Sequence, residues 1–193
     1  MTVSVKAPTS TTGSIQLNGS DVLTIDSSGN VTAPNKLIST GHVLQVVQSV
    51  KTDAFTTTSG SFVIPSGLSV NITPSSTANK ILIMCYTNFA VSNDSGHSYG
   101  QLQRDGTALN IADAAATRPR AAVVQNNYGD NAPPNYSLCY LDSPSSTSSI
   151  TYSFGIRSSN GTTVYLNRSV RDANSGTYDG RTSSAIIVME VAG

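Results

Sequence analysis

Residues 80–91, KILIMCYTNFAV, decide the fold, because they form the most apolar run of the chain. Their second half alternates between two sets of side chains, and β-branched and aromatic residues at period two predict a β-strand. The first half is apolar at every position from Ile81 to Met84, which predicts that both faces are covered there, within a sandwich or against a partner subunit. Residues 184–192, SAIIVMEVA, are also almost wholly apolar and are predicted to be a neighbouring strand.

Short strands with almost no helical pattern flank this run and predict the fold class. Asp105-Gly106 and Asn160-Gly161 each predict a hairpin, because a type I′ turn needs positive φ at both central residues. Strand-like runs about ten residues apart predict an all-β domain, an antiparallel β-sandwich or jelly roll, over residues 41–193. Further strands are predicted at residues 61–64, 68–72 and 136–141, and at residues 41–50, where some valines also match helical spacing but the density of valine favours a strand.

The leader, residues 1–40, has a different pattern. Residues 1–12 are polar and are expected to be an arm that is ordered only on a partner. Residues 13–36 alternate very short apolar pieces with Gly/Asn turns, too little to build a core alone. With no cysteine and no metal-ligand set there, oligomerisation is the remaining way to stabilise it. We therefore predict a trimeric β stem whose buried side chains are Ile15, Leu17, Val22, Ile25 and Val31.

The composition narrows the function classes. The chain has 11 basic and 11 acidic residues, and a neutral chain lacks the clustered cations that bind nucleic acid. No apolar run reaches the roughly 18 residues of a membrane span, and no secretory leader is predicted, so neither membrane insertion nor secretion is expected. Cys85 and Cys139 each lie in a strand-like run and are expected to be small buried thiols, with a disulfide left open.

Catalytic motifs are absent from the sequence. Only His42 and His97 could serve as the base of a nucleophilic site, and there is no Gly-X-Ser-X-Gly elbow. The chain has one glutamate, Glu190, and its aspartates lie in or beside turns, where they usually cap the backbone. We therefore expect no enzyme activity, no cofactor and no metal, although Asp94 and His97 stay open as a cation site.

Three long polar segments, residues 92–98, 112–135 and 169–182, are the candidate contact surface. They carry Tyr, Asn, Ser, Gly and Arg, which together make adaptable binding surfaces. Long loops without secondary structure are often functional. The predicted host-contact residues are Tyr99, Arg118, Arg120, Tyr128, Arg171, Tyr178 and Arg181.

A family resemblance covers nearly the whole chain. Residues 13–36, GSIQLNGSDVLTIDSSGNVTAPNK, resemble shaft segments of bacteriophage tail-fibre proteins. GHVLQVVQSVKTDAF, NKILIM, LQRDGTAL, YLDSP and GRTSSAIIVMEVA together resemble a small domain of phage tail-fibre and virion structural proteins, particularly of marine and cyanobacterial phages. The resemblance implies a homotrimeric fibre with a jelly-roll-like head of the tumour-necrosis-factor/C1q type and no shared catalytic residues.

These observations lead to one expected function and two alternatives. The chain is expected to be a short trimeric tail fibre on the virion, attached to other virion proteins through residues 1–40. Its head loops would contact host surface polysaccharide or protein. The first alternative is a capsid decoration or baseplate protein that binds only virion proteins; the second is a carbohydrate-cleaving enzyme in fibre form.

Overall fold

Fifteen β-strands and no helix occur in the described part of the computed structural model, which comprises residues 3–6, 13–17, 20–32, 40–92, 96–126 and 133–193. Every strand pair is antiparallel, so the prediction of an all-β antiparallel fold is confirmed. The chain divides into two compact units, residues 1–40 and residues 41–193. None of the described residues belongs to a helix long and apolar enough to span a membrane.

The leader forms a four-stranded sheet within one chain, in the order β1-β2-β3-β4. Its strands are β1 (Val3–Lys6), β2 (Gly13–Leu17), β3 (Ser20–Ile25) and β4 (Val31–Thr32). The expectation that residues 1–12 are an arm without structure of its own is therefore wrong for residues 3–6, which pair with β2. The strands pair with their own chain, so the backbone of this sheet needs no second copy to satisfy its hydrogen bonds.

The second unit contains two sheets. Its strands are β5 (Val43–Lys51), β6 (Phe55–Thr57), β7 (Ser69–Ile72), β8 (Lys80–Val91), β9 (His97–Arg104), β10 (Thr107–Leu109), β11 (Val123–Asn126), β12 (Asn135–Asp142), β13 (Ile150–Ser158), β14 (Val164–Leu166) and β15 (Ser184–Val191). A five-stranded sheet has the order β10-β9-β13-β7, with β11 also paired to β9. A six-stranded sheet has the order β5-β15-β8-β14-β6, with β12 also paired to β8.

The core lies between these two sheets. Alternate side chains of each strand point inward, as the period-two repeat of a strand requires. From the six-stranded sheet the core includes Ile81, Ile83 and Phe89, and from the five-stranded sheet Tyr152 and Phe154, all at 0% exposure. β8 is the organising strand of the six-stranded sheet because it pairs with β12, β14 and β15, as the apolar run predicts.

The prediction that the first half of β8 is covered on both faces is wrong within this unit. Leu82, Met84 and Tyr86 are half-exposed on the side away from the core, and the fully covered half is instead residues 87–91. There the outward side chain of Asn88 donates a hydrogen bond to the Ser183 carbonyl at 2.6 Å. The alternative of a partner subunit over the first half stays a prediction.

Two other strand predictions need correction. Residues 61–64 do not form a strand; only Val63 makes an isolated bridge, to Ile156. Asn160 and Gly161 have the predicted positive φ of 55° and 71°, but β13 and β14 belong to different sheets. That turn therefore carries the chain from one sheet to the other, whereas the Asp105-Gly106 turn joins the paired strands β9 and β10 as predicted.

Candidate interaction surfaces

The side of the six-stranded sheet away from the core is the first candidate surface. The strand registers place twelve side chains there in three rows across β12, β8, β15 and β5. We call these positions the β8 outer face: Leu141, Leu82, Met189 and Val46; Cys139, Met84, Ile187 and Gln48; Ser137, Tyr86, Ala185 and Val50. The grid contains no charged residue, which is unusual for a sheet surface in contact with water.

Several apolar side chains of the β8 outer face are exposed. Val46 is 55% exposed, Val50 47% and Leu141 48%, whereas Met84 and Ile187 at the centre of the grid are half-buried and Ala185 is buried. An open depression of about 370 Å³ lies among Met84, Ile187 and their neighbours on β12. An apolar, uncharged patch of this kind is typical of a contact with another protein surface.

The two cysteines lie on opposite sides of the same sheet. Cys85 points into the core at 3% exposure, and Cys139 is exposed on the β8 outer face. Burial raises the pKa of the Cys85 thiol to about 12, so it is protonated at neutral pH. Both thiols are free, and the expectation of two buried thiols holds for Cys85 only.

The loop of residues 168–181 brings together three of the predicted host-contact residues. Arg171 pairs with Asp179 at 2.8 Å, and Arg181 pairs with Asp172 at 2.9 Å. Hydrogen bonds from Arg171 and then from Ser169 hold the pKa of Asp179 below its usual value. Tyr178 is 59% exposed. The two arginines are thus engaged in holding the loop, and their side chains, 41% and 59% exposed, face solvent together with the Tyr178 ring.

The other predicted contact residues lie elsewhere in the unit. Arg118 and Arg120 are exposed in the segment between β10 and β11, where Arg120 donates to the Ala112 carbonyl at 2.6 Å. Tyr99 lies on β9 and is only half-exposed. Tyr128 lies outside the described residues, as does Asp94 of the open Asp94–His97 cation site.

The predicted stem residues show mixed burial in the leader sheet. Ile15 and Val22 are half-buried, while Ile25 is 44% and Val31 62% exposed. The side chain of Leu17 lies outside what the structure describes. The leader therefore has apolar side chains that its own sheet leaves uncovered.

The buried carboxylate of Asp142 is part of a structural hydrogen-bond network. Asp142 accepts hydrogen bonds from Arg104, at 2.8 Å, and from the Tyr152 hydroxyl, at 2.6 Å, which ties the six-stranded sheet to the five-stranded one. Burial, and then the bond to Asp142, raises the pKa of Tyr152. Among the described residues no three His, Cys, Asp or Glu side chains gather as metal ligands.

Sequence reasoning missed the β8 outer face as a surface, although its signal was present. A strand that is apolar on both faces predicts that other side chains pack against both. The structure shows that the side carrying Leu82, Met84 and Tyr86 is only partly buried within the unit. Which residues of β5, β12 and β15 complete the grid follows from registers that no local pattern encodes.

Comparisons with known proteins give only a distant likeness. No protein-family model matches the chain, and no curated protein has a similar sequence. Among solved structures, the infectious bursal disease virus VP2 subviral particle matches with a TM-score of 0.39 and 13% identity, covering 94% of this chain and 47% of VP2. The D431N mutant VP2 of the same virus, from T=1 particles, matches with a TM-score of 0.36 and 13% identity, covering 94% of this chain and 49% of that one. This chain spans about half the length of VP2, and likeness at this level carries no functional argument.

Proposed function

We propose that this chain is a structural, non-catalytic protein of a bacteriophage virion, assembled as a homotrimer in a short tail fibre. Residues 1–40 attach it to other virion proteins, and the second unit is displayed toward the host cell surface. The observation that carries this proposal is the uncharged, largely apolar β8 outer face, whose side chains other than the buried Ala185 are partly or largely exposed in its own unit. The family resemblance of the sequence supports the same assignment.

Covering the β8 outer face is energetically favourable. A valine or leucine gains about 1.5–3 kcal/mol on full burial, so a half-exposed one such as Val46 or Leu141 gains about 1 kcal/mol when covered. Val46, Val50 and Leu141 together gain about 3 kcal/mol per copy, which offsets part of an association cost of about 4–15 kcal/mol. No like charges oppose one another when copies of this face meet, because the face carries none.

The β8 outer face is small for a contact between two copies. Four strands about 4.8 Å apart, with three alternate residues about 6.8 Å apart, give roughly 400 Å² per copy. Two copies meeting through it would cover about 800 Å², which is the range of crystal packing, and three copies would divide about 1,200 Å² among three interfaces of about 400 Å² each, so a stable trimer needs further apolar contacts. The exposed Ile25 and Val31 of the leader are further apolar side chains that the same three copies can cover.

Three copies would also strengthen weak host contacts. Linked sites convert the second and third binding events into intramolecular ones, which raises avidity without new contacts. The exposed Tyr178 on its ion-paired loop is the kind of ordered aromatic side chain that such contacts use.

The assembly can be tested on the full chain by native mass spectrometry and light scattering. We expect trimers for the wild type and dissociation for Val46→Lys and for Ile187→Lys, because each places a charge in the apolar contact. Val124→Lys is the matched control, since Val124 is 51% exposed in β11 of the other sheet. A monomeric wild type, or trimers that Ile187→Lys leaves intact, would refute the assembly.

The place in the particle needs a separate experiment. Gold-labelled antibody against the chain, imaged on purified phage, is expected to mark the tail. A label on the capsid shell would instead assign the decoration role. Incubation with host polysaccharide is expected to leave its chain length unchanged, and shortened chains would overturn the non-catalytic assignment.

A further inference from the structure

Arg157 is held in place on the side of the five-stranded sheet away from the core. It lies on β13 directly opposite Tyr99 of β9, and its guanidinium carbon is 4.3 Å from the centre of that ring. The same guanidinium is 5.4 Å from the centre of the Phe62 ring and donates to the Gly60 carbonyl at 3.1 Å. Two rings and a carbonyl therefore fix the plane of the guanidinium before any ligand arrives.

Arg157 differs from most of the other described arginines of this unit in having no ion pair. Four described arginines each form an ion pair with an aspartate: Arg104, Arg168, Arg171 and Arg181. Arg157 has no such partner among the described residues. Only one of its five N–H groups is used, in the bond to the Gly60 carbonyl, so an ordered cation retains donors for an anion.

The neighbours of Arg157 along β9 have no acidic side chain. Alternation along β9 places His97, Gln101 and Gln103 on the same side as Tyr99, because the residues between them are buried in the core or point toward it. Gln103 donates to the Gln101 side chain at 2.9 Å, and the rings of His97 and Tyr99 stack at 6.5 Å. We call these four residues and Arg157 the Arg157 platform; it contains no acidic side chain.

We propose that the Arg157 platform binds a carboxylate-bearing polysaccharide. The planar guanidinium matches a carboxylate through two parallel hydrogen bonds, which a lysine could not make. The glutamine amides along the same strand supply donors and acceptors for sugar hydroxyls. This inference rests on the proposed function, since it names the chemical class of the host-surface ligand.

The test measures binding of the full chain to three immobilised polymers by biolayer interferometry: polygalacturonate, neutral dextran and dextran sulfate. Wild type is expected to bind polygalacturonate most tightly. Arg157→Gln and Arg157→Lys should each weaken that binding roughly 10-fold to 100-fold, through loss of the charged fork. Lys80→Gln removes the same charge from an exposed residue of β8 and should bind as wild type does.

Each other outcome overturns the inference. Absence of binding to polygalacturonate, equal binding to dextran, or unchanged binding by Arg157→Gln does so directly. Equal loss in Lys80→Gln, or tighter binding to dextran sulfate, would show attraction to charge in general. Arg157→Lys keeps the charge and the aliphatic part of the side chain. A cooperative thermal unfolding transition of this variant would establish that it is folded. A wild type that ignores saccharides but stays trimeric refutes this site alone and leaves the proposed assembly standing.

Discussion

Glu190 gives the sharpest stability prediction, because it is a carboxylate buried at 1% exposure with neutral partners. One oxygen accepts hydrogen bonds from the Ser75 backbone N–H at 2.6 Å, the Ser75 hydroxyl at 2.8 Å and the Asn79 amide at 2.6 Å. The other oxygen accepts from the Gln45 amide at 2.6 Å. This carboxylate therefore joins β5 and the segment between β7 and β8 to β15.

Substituting Glu190→Gln keeps the shape of the side chain but changes its hydrogen bonding. The amide oxygen of the new glutamine can still accept hydrogen bonds from the three donors of Ser75 and Asn79. Its NH₂ group, however, faces the NH₂ group of Gln45, so two donors oppose each other. Leaving one buried donor pair unmet costs about 1–3 kcal/mol, so we expect the free energy of unfolding to fall by about 2 kcal/mol at pH 7. Urea denaturation followed by circular dichroism and tyrosine fluorescence measures this, as the chain has no tryptophan.

The same variant should change the pH dependence of stability. Burial by itself would raise the pKa of Glu190, but hydrogen bonds from Asn79, Gln45 and Ser75 outweigh it and lower the pKa below the ordinary 4.5. A carboxyl whose pKa is lower in the folded state stabilises the fold above its unfolded pKa and loses that contribution as pH falls through the folded pKa. The stability gap between wild type and Glu190→Gln should therefore close on acidification below about pH 4.5.

The control is Asp113→Asn, which removes one negative charge from an exposed loop residue and should leave stability within about 0.5 kcal/mol of wild type. The role assigned to the carboxylate network would be refuted if wild type and Glu190→Gln had the same free energy of unfolding at pH 7. It would also be refuted if the difference between them stayed constant from pH 7 to pH 3.

Three further predictions concern the interior of the second unit. Asn167→Asp should lower the free energy of unfolding by about 3 kcal/mol in urea, because the buried amide donates to two backbone carbonyls that a carboxylate would oppose. In a Cys139→Ser variant, Cys85 should resist a maleimide at pH 8 until the protein is unfolded, as peptide mass spectrometry would show. Gly100→Ala should lower the free energy of unfolding by about 1–3 kcal/mol in thermal denaturation, since a Cβ there meets the Phe154 ring.

Matched residues supply the controls for the Asn167 and Gly100 variants. Asn110→Asp shares the positive φ of Asn167, at 49° against 61°, but is exposed and should be nearly neutral. Gly60→Ala has open space around its Cβ and should also be neutral. Equal losses within either pair, or rapid labelling of Cys85 in folded protein, would contradict the packing described here.

The backbone geometry of the two turns was predictable from the sequence. Whether the strands on either side of a turn pair with each other was predicted correctly for only one of them. Asp105-Gly106 and Asn160-Gly161 have the same local signature and the same positive φ. The first closes a hairpin, and the second joins strands of different sheets, because β13 is already flanked by β7 and β9. A local pattern fixes backbone conformation, whereas partner choice depends on core burial that involves distant segments.

The candidate sites show the same limit. The apolar alternation of Leu82 and Met84 indicated a contact on both sides of β8, but only the registers of β12 and β15 assemble the grid around them. Arg157 gave no signal in the sequence, because its two aromatic neighbours come from other segments of the chain. Tyr178 and Arg171 were predicted as contact residues because their loop is long, polar and continuous, and that role stays a prediction.

The insertion of β15 between β5 and β8 has a consequence for synthesis of the protein on the ribosome. Both flanking strands are translated long before residues 184–191, so a nascent chain carries two open strand edges until the intervening strand emerges. Open edges are templates for mispairing, and such non-local closure is slow. Completion of the sheet therefore waits until β15 has been translated, and nascent chains on neighbouring ribosomes of one message expose the same open strand edges during that interval.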